Sequence, residues 1–212
     1  MSEIGATAVR LDPREESAIA AAAERLKDGI GHIVTTGSAP HDVRVTEPDR
    51  DEPPAAFTAK VIGPMLVAKH CAPVTRPTGS TVLFSGVAGW RPGPGSLVKG
   101  VANGALEYAA RHLAADLAPV RVNAVSPGVV DSGARGRLGD KKAALSSKSA
   151  AGTLVGRHGE TDGVAGTVMW LLRAGSVSGE TIHVEGGARH KTAWRLATLR
   201  VRRRAFISVT HR

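Results

Sequence analysis

Few side chains in this chain are placed to do chemistry. It has one tyrosine, Tyr108, one cysteine, Cys71, and eight histidines. Tyr108 lies in a stretch of helical period, nine residues past Lys99. At about 3.6 residues per turn the two stand near opposite sides of that helix. A lysine moves protons near neutral pH only if its pKa is brought down from about 10.4, so Lys99 needs burial to act as a donor. Cys71 falls in an apolar helical stretch and reads as a packed core thiol rather than a reactive one. The histidines show no metal-ligand spacing. His112 and His158 read as surface or loop residues, and no metal site is expected. A dinucleotide would need a glycine turn between a strand and a helix to grip its phosphates. No G-x-G-x-x-G follows a strand, and Gly93-Pro94-Gly95 is the nearest glycine cluster.

The elements that must position these groups are organised around residues 79–130. Ser80 to Phe84 is a short apolar run closed by Ser85 and Gly86, the pattern of a buried parallel strand. Ser96 to Leu117 carries Val98, Val101, Ala102, Ala105, Leu106, Ala109, Leu113 and Leu117. That spacing predicts a helix with one apolar face. Pro119 ends it, and Val120 to Val125 is the next strand. Strand, crossover helix and strand form a βαβ unit.

Upstream, Ala6 to Leu11 reads as a short strand. Asp12 then serves as N-cap, with Pro13 in the first turn and Glu15 reaching back, for a helix over Ser17 to Leu26. Gly31 to Thr36 is another strand, and residues 41–54 are a polar surface connection. Ala55 to Ala72 is a helix that Gly63-Pro64 should kink. Downstream, residues 131–152 read as a mobile lid. Gly163 to Leu172 is the last core helix and Thr181 to Val184 the last strand.

Arg121-Val122-Asn123-Ala124-Val125-Ser126-Pro127-Gly128-Val129-Val130 resembles the "RVNxVxPGxV" segment of the short-chain dehydrogenase/reductase family. Gly179-Glu180-Thr181-Ile182-His183-Val184-Glu185-Gly186-Gly187 is similar to that family's closing strand and "V-D-G-G". The resemblance covers roughly residues 6–188. It implies an α/β fold, a three-layer Rossmann-like parallel sheet with helices on both faces, here lacking the first strand-turn-helix unit. Against the family, the chain starts at the third strand. The two strands that would separate this one from the next are missing, so Ala6 to Leu11 must pair directly with Gly31–Thr36 or lack a neighbour. Residues 1–187 would form the domain and 188–212 a basic tail that could be disordered.

The resemblance also implies a function, an NAD(P)-dependent oxidoreductase acting on a carbonyl or alcohol. In the family a tyrosine moves the proton, a lysine one turn on lowers its pKa, a serine holds the substrate oxygen and an asparagine anchors a water relay. Ungapped alignment puts the serine position at Gly86, with Ser85 beside it. The tyrosine position falls on Lys99, the lysine position on Asn103 and the asparagine position on Lys60. The candidate catalytic set is therefore Ser85, Lys99, Asn103 and Lys60, none matching the family's residue. The family's mechanism is not expected to operate. Lysine and asparagine have traded places, so Lys60 could set an ammonium near the usual spot, or both could be pocket-edge polar residues. Two ammonium groups in one pocket would repel, so at least one is expected to point into solvent.

By the same resemblance Asp12, Thr36, Gly37, Pro127, Gly128, Val130 and Ser132 are the cofactor-binding positions, unless they persist only because they shape turns. NAD or NADP is the implied cofactor, bound weakly for want of the glycine turn. The helices over 55–72 and 96–118 match those through which the family dimerises, so a homodimer or homotetramer is expected.

Composition limits the alternatives. The hydrophobic fraction of 42% and charged fraction of 22% are those of a globular domain. No apolar run approaches the length of a membrane span, and the start has no signal-peptide layout. A single cysteine makes the cytoplasm the default compartment. The net charge of +9 is uneven: residues 188–212 hold eight Lys and Arg and no acid, and taking those eight away leaves +1. No specific nucleic-acid partner follows from that charge. Trp194, Leu196, Leu199 and Val201 among the arginines would suit a basic amphipathic helix at a nucleic acid or membrane surface, or an exposed tail. A non-catalytic interaction subunit is the other alternative.

Overall fold

The computed structural model describes residues 6–37, 42–47, 50, 52–131 and 147–191. Four parallel strands form the sheet: β1 (Ile30–Thr35), β2 (Thr75–Phe84), β3 (Arg121–Pro127) and β6 (Thr181–Val184), in the order β1-β2-β3-β6. The short strands β4 (Val130–Asp131) and β5 (Gly159–Glu160) pair with each other beyond its end.

Adjacent residues of a strand point to opposite faces, and the sheet uses both. On one face Leu83, Val122 and Ala124 pack against Leu106 and Ala110 of α4 (Leu97–Asp116). On the other, Val82 and Val125 meet Val164, Val168 and Leu171 of α5 (Thr161–Arg173). The near-continuous buried run Gly79–Leu83 follows from this double cover. The fold is thus the expected three-layer α/β arrangement. On the α4 side α2 (Glu52–Phe57) and α3 (Gly63–Cys71) also pack, and α1 (Glu16–Glu24) packs on α3.

The start of the chain departs from expectation. Residues 6–11 form no strand; 6–10 are exposed coil. A strand with no ladder partner on either side leaves its backbone groups to water and gains nothing from extension. Asp12 is not the N-cap of α1 either. Its Oδ1 accepts the backbone N–H of Arg14 at 2.9 Å, and its Oδ2 accepts from the guanidinium at 2.7 Å. Glu15 precedes the helix and makes no side-chain cap.

The kink expected at Gly63-Pro64 is a π-helical turn, Thr58–Ile62, joining α2 to α3. Gly63 donates to the carbonyl of Thr58 five residues back, and Pro64, which has no N–H, falls in the first turn of α3. Of the expected lid, residues 147–151 are a helical turn. Positions 132–146, Ser132 among them, and the tail from 192 lie outside the described residues.

Candidate active site

Parallel strands end at one edge, so the residues following β1, β2, β3 and β6 lie along a single crevice, where open α/β sheets place their ligands. Ser85 follows β2 and stays in the ladder, donating its N–H to the carbonyl of Val125 at 2.8 Å. Its side chain turns under α4. Ser85 Oγ lies 2.6 Å from Glu107 Oε1 and 3.2 Å from the carbonyl of Asn103. A hydroxyl has one hydrogen, and the shorter contact, with a carboxylate, is the stronger. Trp90 Nε1 donates to the other carboxylate oxygen, Oε2, at 2.6 Å. The Trp90 ring stands edge-on to His183 of β6, centroids 5.2 Å apart and planes at 88°. Burial, with Arg189 nearby, lowers the pKa of His183, and its buried Nδ1 finds no partner among the described residues.

Glu107, only 4% exposed, was missed by sequence reasoning as a site residue. Its signal was a carboxylate at helical spacing from Asn103 and Ala110 on what is the inward face of α4. That face comprises Ala102, Asn103, Leu106, Glu107 and Ala110, so the expected apolar stripe is rotated. Val101 stands 52% exposed.

Lys60 comes from the π-helical turn. Its Nζ donates to the Ser85 carbonyl at 3.4 Å, and among the described residues no carboxylate pairs with it. Burial pulls its pKa down to about 8. Asn103 is 5% exposed. Its Nδ2 lies 3.1 Å from where a β-carbon on Gly86 would stand. Lys60, Ser85 and Asn103 are therefore brought together. Lys99 is not: it forms an ion pair with Asp42 at the surface. Tyr108 is 64% exposed, with Arg111 over its ring.

The cofactor candidates fall in two groups. Asp12 and Gly37, with Arg10, Leu11, Pro13, Arg14 and Ala59, line a hollow of about 590 Å³. There the hydrogen bonds from Arg14 hold the Asp12 carboxyl down at about 2. Thr36 lies beside Gly37 and is exposed. Pro127, Gly128 and Val130 lie at the other end of the crevice. Gly128 donates its N–H to Val184 at 3.0 Å, and a β-carbon on it would come within 3.0 Å of Glu185. Val130 pairs with Gly159. A larger hollow, about 740 Å³, is lined by Val45, loop residues 92–96 and the outer side of α4, and by none of Lys60, Ser85 and Asn103.

A family model described as "Enoyl-(Acyl carrier protein) reductase" matches residues 1–189. The Short-chain dehydrogenase/reductase ATR9 of Stachybotrys chlorohalonatus is 32% identical over 162 residues, 75% of this chain and 64% of that protein. The Short-chain reductase protein NovJ of Streptomyces niveus is 39% identical over 118 residues, 51% of this chain and 44% of that one. The chain thus spans less than two thirds of the length of these relatives. Among solved structures, a small-chain dehydrogenase in complex with NADPH superimposes with a TM-score of 0.81 at 30% identity, covering 85% of this chain and 83% of that one. With the strand order, the crevice and the match over residues 1–189 in agreement, the chain belongs to the short-chain dehydrogenase/reductase family.

Proposed function

We propose that the chain is a nicotinamide-linked oxidoreductase by class, for a carbonyl or alcohol substrate, and that it does not use the family's tyrosine–lysine relay. The observation that carries this reading is the convergence of Lys60, Ser85 and Asn103 at the carboxyl edge of the sheet, while Lys99 is held at the surface by Asp42.

The residues present fit part of the cofactor. The 590 Å³ hollow beside Gly37 is in the size range of a small-molecule site. Asp12 and Gly37 would hold the adenosine end there, and Pro127, Gly128 and Val130 would flank the nicotinamide end. When bound, the nicotinamide supplies or accepts a hydride. The chain's own residues do the rest. Asn103 and Gly86 bound the site beside α4. Lys60 is the titratable group at the strand end. Ser85 has its hydroxyl hydrogen committed to Glu107, so it serves as backbone support for Lys60 rather than as a donor to substrate.

Binding of NAD(H) or NADP(H) is expected in the millimolar range, about −4 kcal/mol or weaker. Calorimetric titration with NADPH and a steady-state assay over a ketone panel test the reading. Weak binding with slow turnover that survives Lys99→Ala supports it. Turnover abolished by Lys99→Ala would show instead that lysine has taken the tyrosine's role.

A non-catalytic assembly role is the second reading. It is favoured by the exposed side chains of Leu97, Val101 and Tyr108 along one side of α4.

A further inference from the structure

Lys60 is unusual among the charged groups of this chain. It sits in the one π-helical turn described, at the carboxyl end of β2, largely buried but not sealed from solvent. Among the described residues its only polar contact is the long one to the Ser85 carbonyl. A buried ammonium with one carbonyl and no counter-ion is poorly compensated, whereas the neutral amine is at home there. The neighbouring carboxylate, Glu107, is occupied by Ser85 and Trp90.

We propose that Lys60 is a nucleophilic amine that condenses with aldehydes at the mouth of this crevice. The carbonyl class is taken from the proposed function, but the step itself uses no nicotinamide. The Nζ lone pair adds to the carbonyl carbon, and a proton passes to the oxygen to give a carbinolamine. That intermediate loses its hydroxyl as water, the nitrogen releasing its second hydrogen, and a C=N bond remains. Desolvated lysines serve in this way because they hold an uncharged fraction near neutral pH. Burial of Lys60 acts in that direction.

The test uses the whole chain with pyridine-4-carboxaldehyde and sodium cyanoborohydride, which reduces the imine to a stable secondary amine. Modified lysines are mapped by peptide mass spectrometry. Near about pH 7, Lys60 should be modified at least about tenfold faster than the exposed Lys27 and Lys148, and the gap should close near about pH 10.5, where ordinary lysines also lose their charge. Modification of Lys60 no faster than of Lys27 and Lys148 overturns the proposal. Lys60→Arg should remove the fast-labelled fraction; fast labelling that persists in that variant also overturns it. If Lys60→Arg does not fold, the ratio measured in the parent chain decides alone. Labelling without NADPH turnover would leave the amine site standing and sink only the oxidoreductase reading.

Discussion

The hydroxyl of Ser85 meets the carboxylate of Glu107 at 2.6 Å, across the contact between the end of β2 and α4. Both residues are buried, Ser85 at 6% exposure and Glu107 at 4%. With Trp90 on the second oxygen, the carboxylate has a donor for each oxygen. This arrangement joins the sheet, the crossover helix and the 87–90 turn at one point.

Removing Glu107 should therefore cost more than its own contacts. Glu107→Ala leaves the Trp90 indole N–H without its acceptor, Ser85 with only the longer contact to the Asn103 carbonyl, and a cavity, and is expected to destabilise the fold by about 2–4 kcal/mol. Ser85→Ala removes one donor and should cost about 1–2 kcal/mol. Because they share a hydrogen bond, the double variant should cost less than the two together, by about 1 kcal/mol or more. Urea unfolding of all four proteins measures this. Simple additivity would mean that the contact is absent in solution.

The pH dependence of stability should carry the mark of Lys60. Its pKa falls from the ordinary 10.5 to about 8 in the fold. Above the ordinary value the amine is neutral whether folded or not, and costs nothing. Below about pH 8 it is charged in both states, and the fold bears the whole desolvation penalty. Between these the unfolded chain binds more protons, so the Lys60 contribution makes stability rise with pH. Lys60→Met should remove that rise and stabilise the chain near about pH 7 by up to about 3 kcal/mol. Thermal melts of parent and variant across this range check it. An unchanged gap from about pH 7 to about pH 11 would show that the amine is solvated.

The sequence was most legible where periodicity and burial agree. The core of β2 was read from an apolar run that both sheet faces require, and Thr181–Val184 from the likeness of its segment to the family's closing strand. The helix over 96–117 was placed within a residue at each end, yet its inward face was misjudged. Hydropathy favours Val101 and Ala109 over Asn103 and Glu107, whereas the fold buries the polar pair because Gly86, Ser85 and Trp90 are there to meet it. Nothing local in the sequence announces those partners. Residues 6–11 misled for the opposite reason. They have strand character, but a strand is made by its neighbour, and among the described residues no strand flanks them. Alignment brought Lys60, Ser85 and Asn103 to attention, but it could not tell that Asp42, distant in sequence, holds Lys99 away.

Gly63 fixes how the 12–14 turn lies on the helix. A β-carbon there would stand 2.6 Å from the Pro13 carbonyl and 3.2 Å from that of Thr58, both backbone atoms. Neither can move alone, so Gly63→Ala must push the turn away or distort the π-helical turn that carries Lys60. A loss of about 2 kcal/mol or more is expected in chemical denaturation. The 590 Å³ hollow beside Pro13 should change shape as well, so any measured NADPH affinity should weaken with it. A variant as stable as the parent would show that the turn does not rest on the helix in solution.

The outer side of α4 supports a prediction about assembly. Leu97, Val101 and Tyr108 are 55%, 52% and 64% exposed, and they follow one another at helical spacing with Gly104 and Ala105 between the last two. Among the described residues, nothing beyond the helix's own backbone lies within 4 Å of where a β-carbon on Gly104 would be, so another backbone can approach closely there. The 740 Å³ hollow beside Val101 and Ala105 extends the same apolar surface toward Val45. An apolar ridge beside an apolar hollow suits a two-fold contact, in which each copy offers both to the other and one substitution acts twice. A homodimer or homotetramer is expected by light scattering at tens of micromolar. Val101→Glu should shift it to monomer, because the charge would be buried once in each copy against an apolar surface. The same change should leave the circular dichroism spectrum and the single-chain fold intact, since Val101 is half-exposed within one chain. If the parent chain is monomeric at those concentrations, the ridge is not a self-association surface and the prediction is wrong.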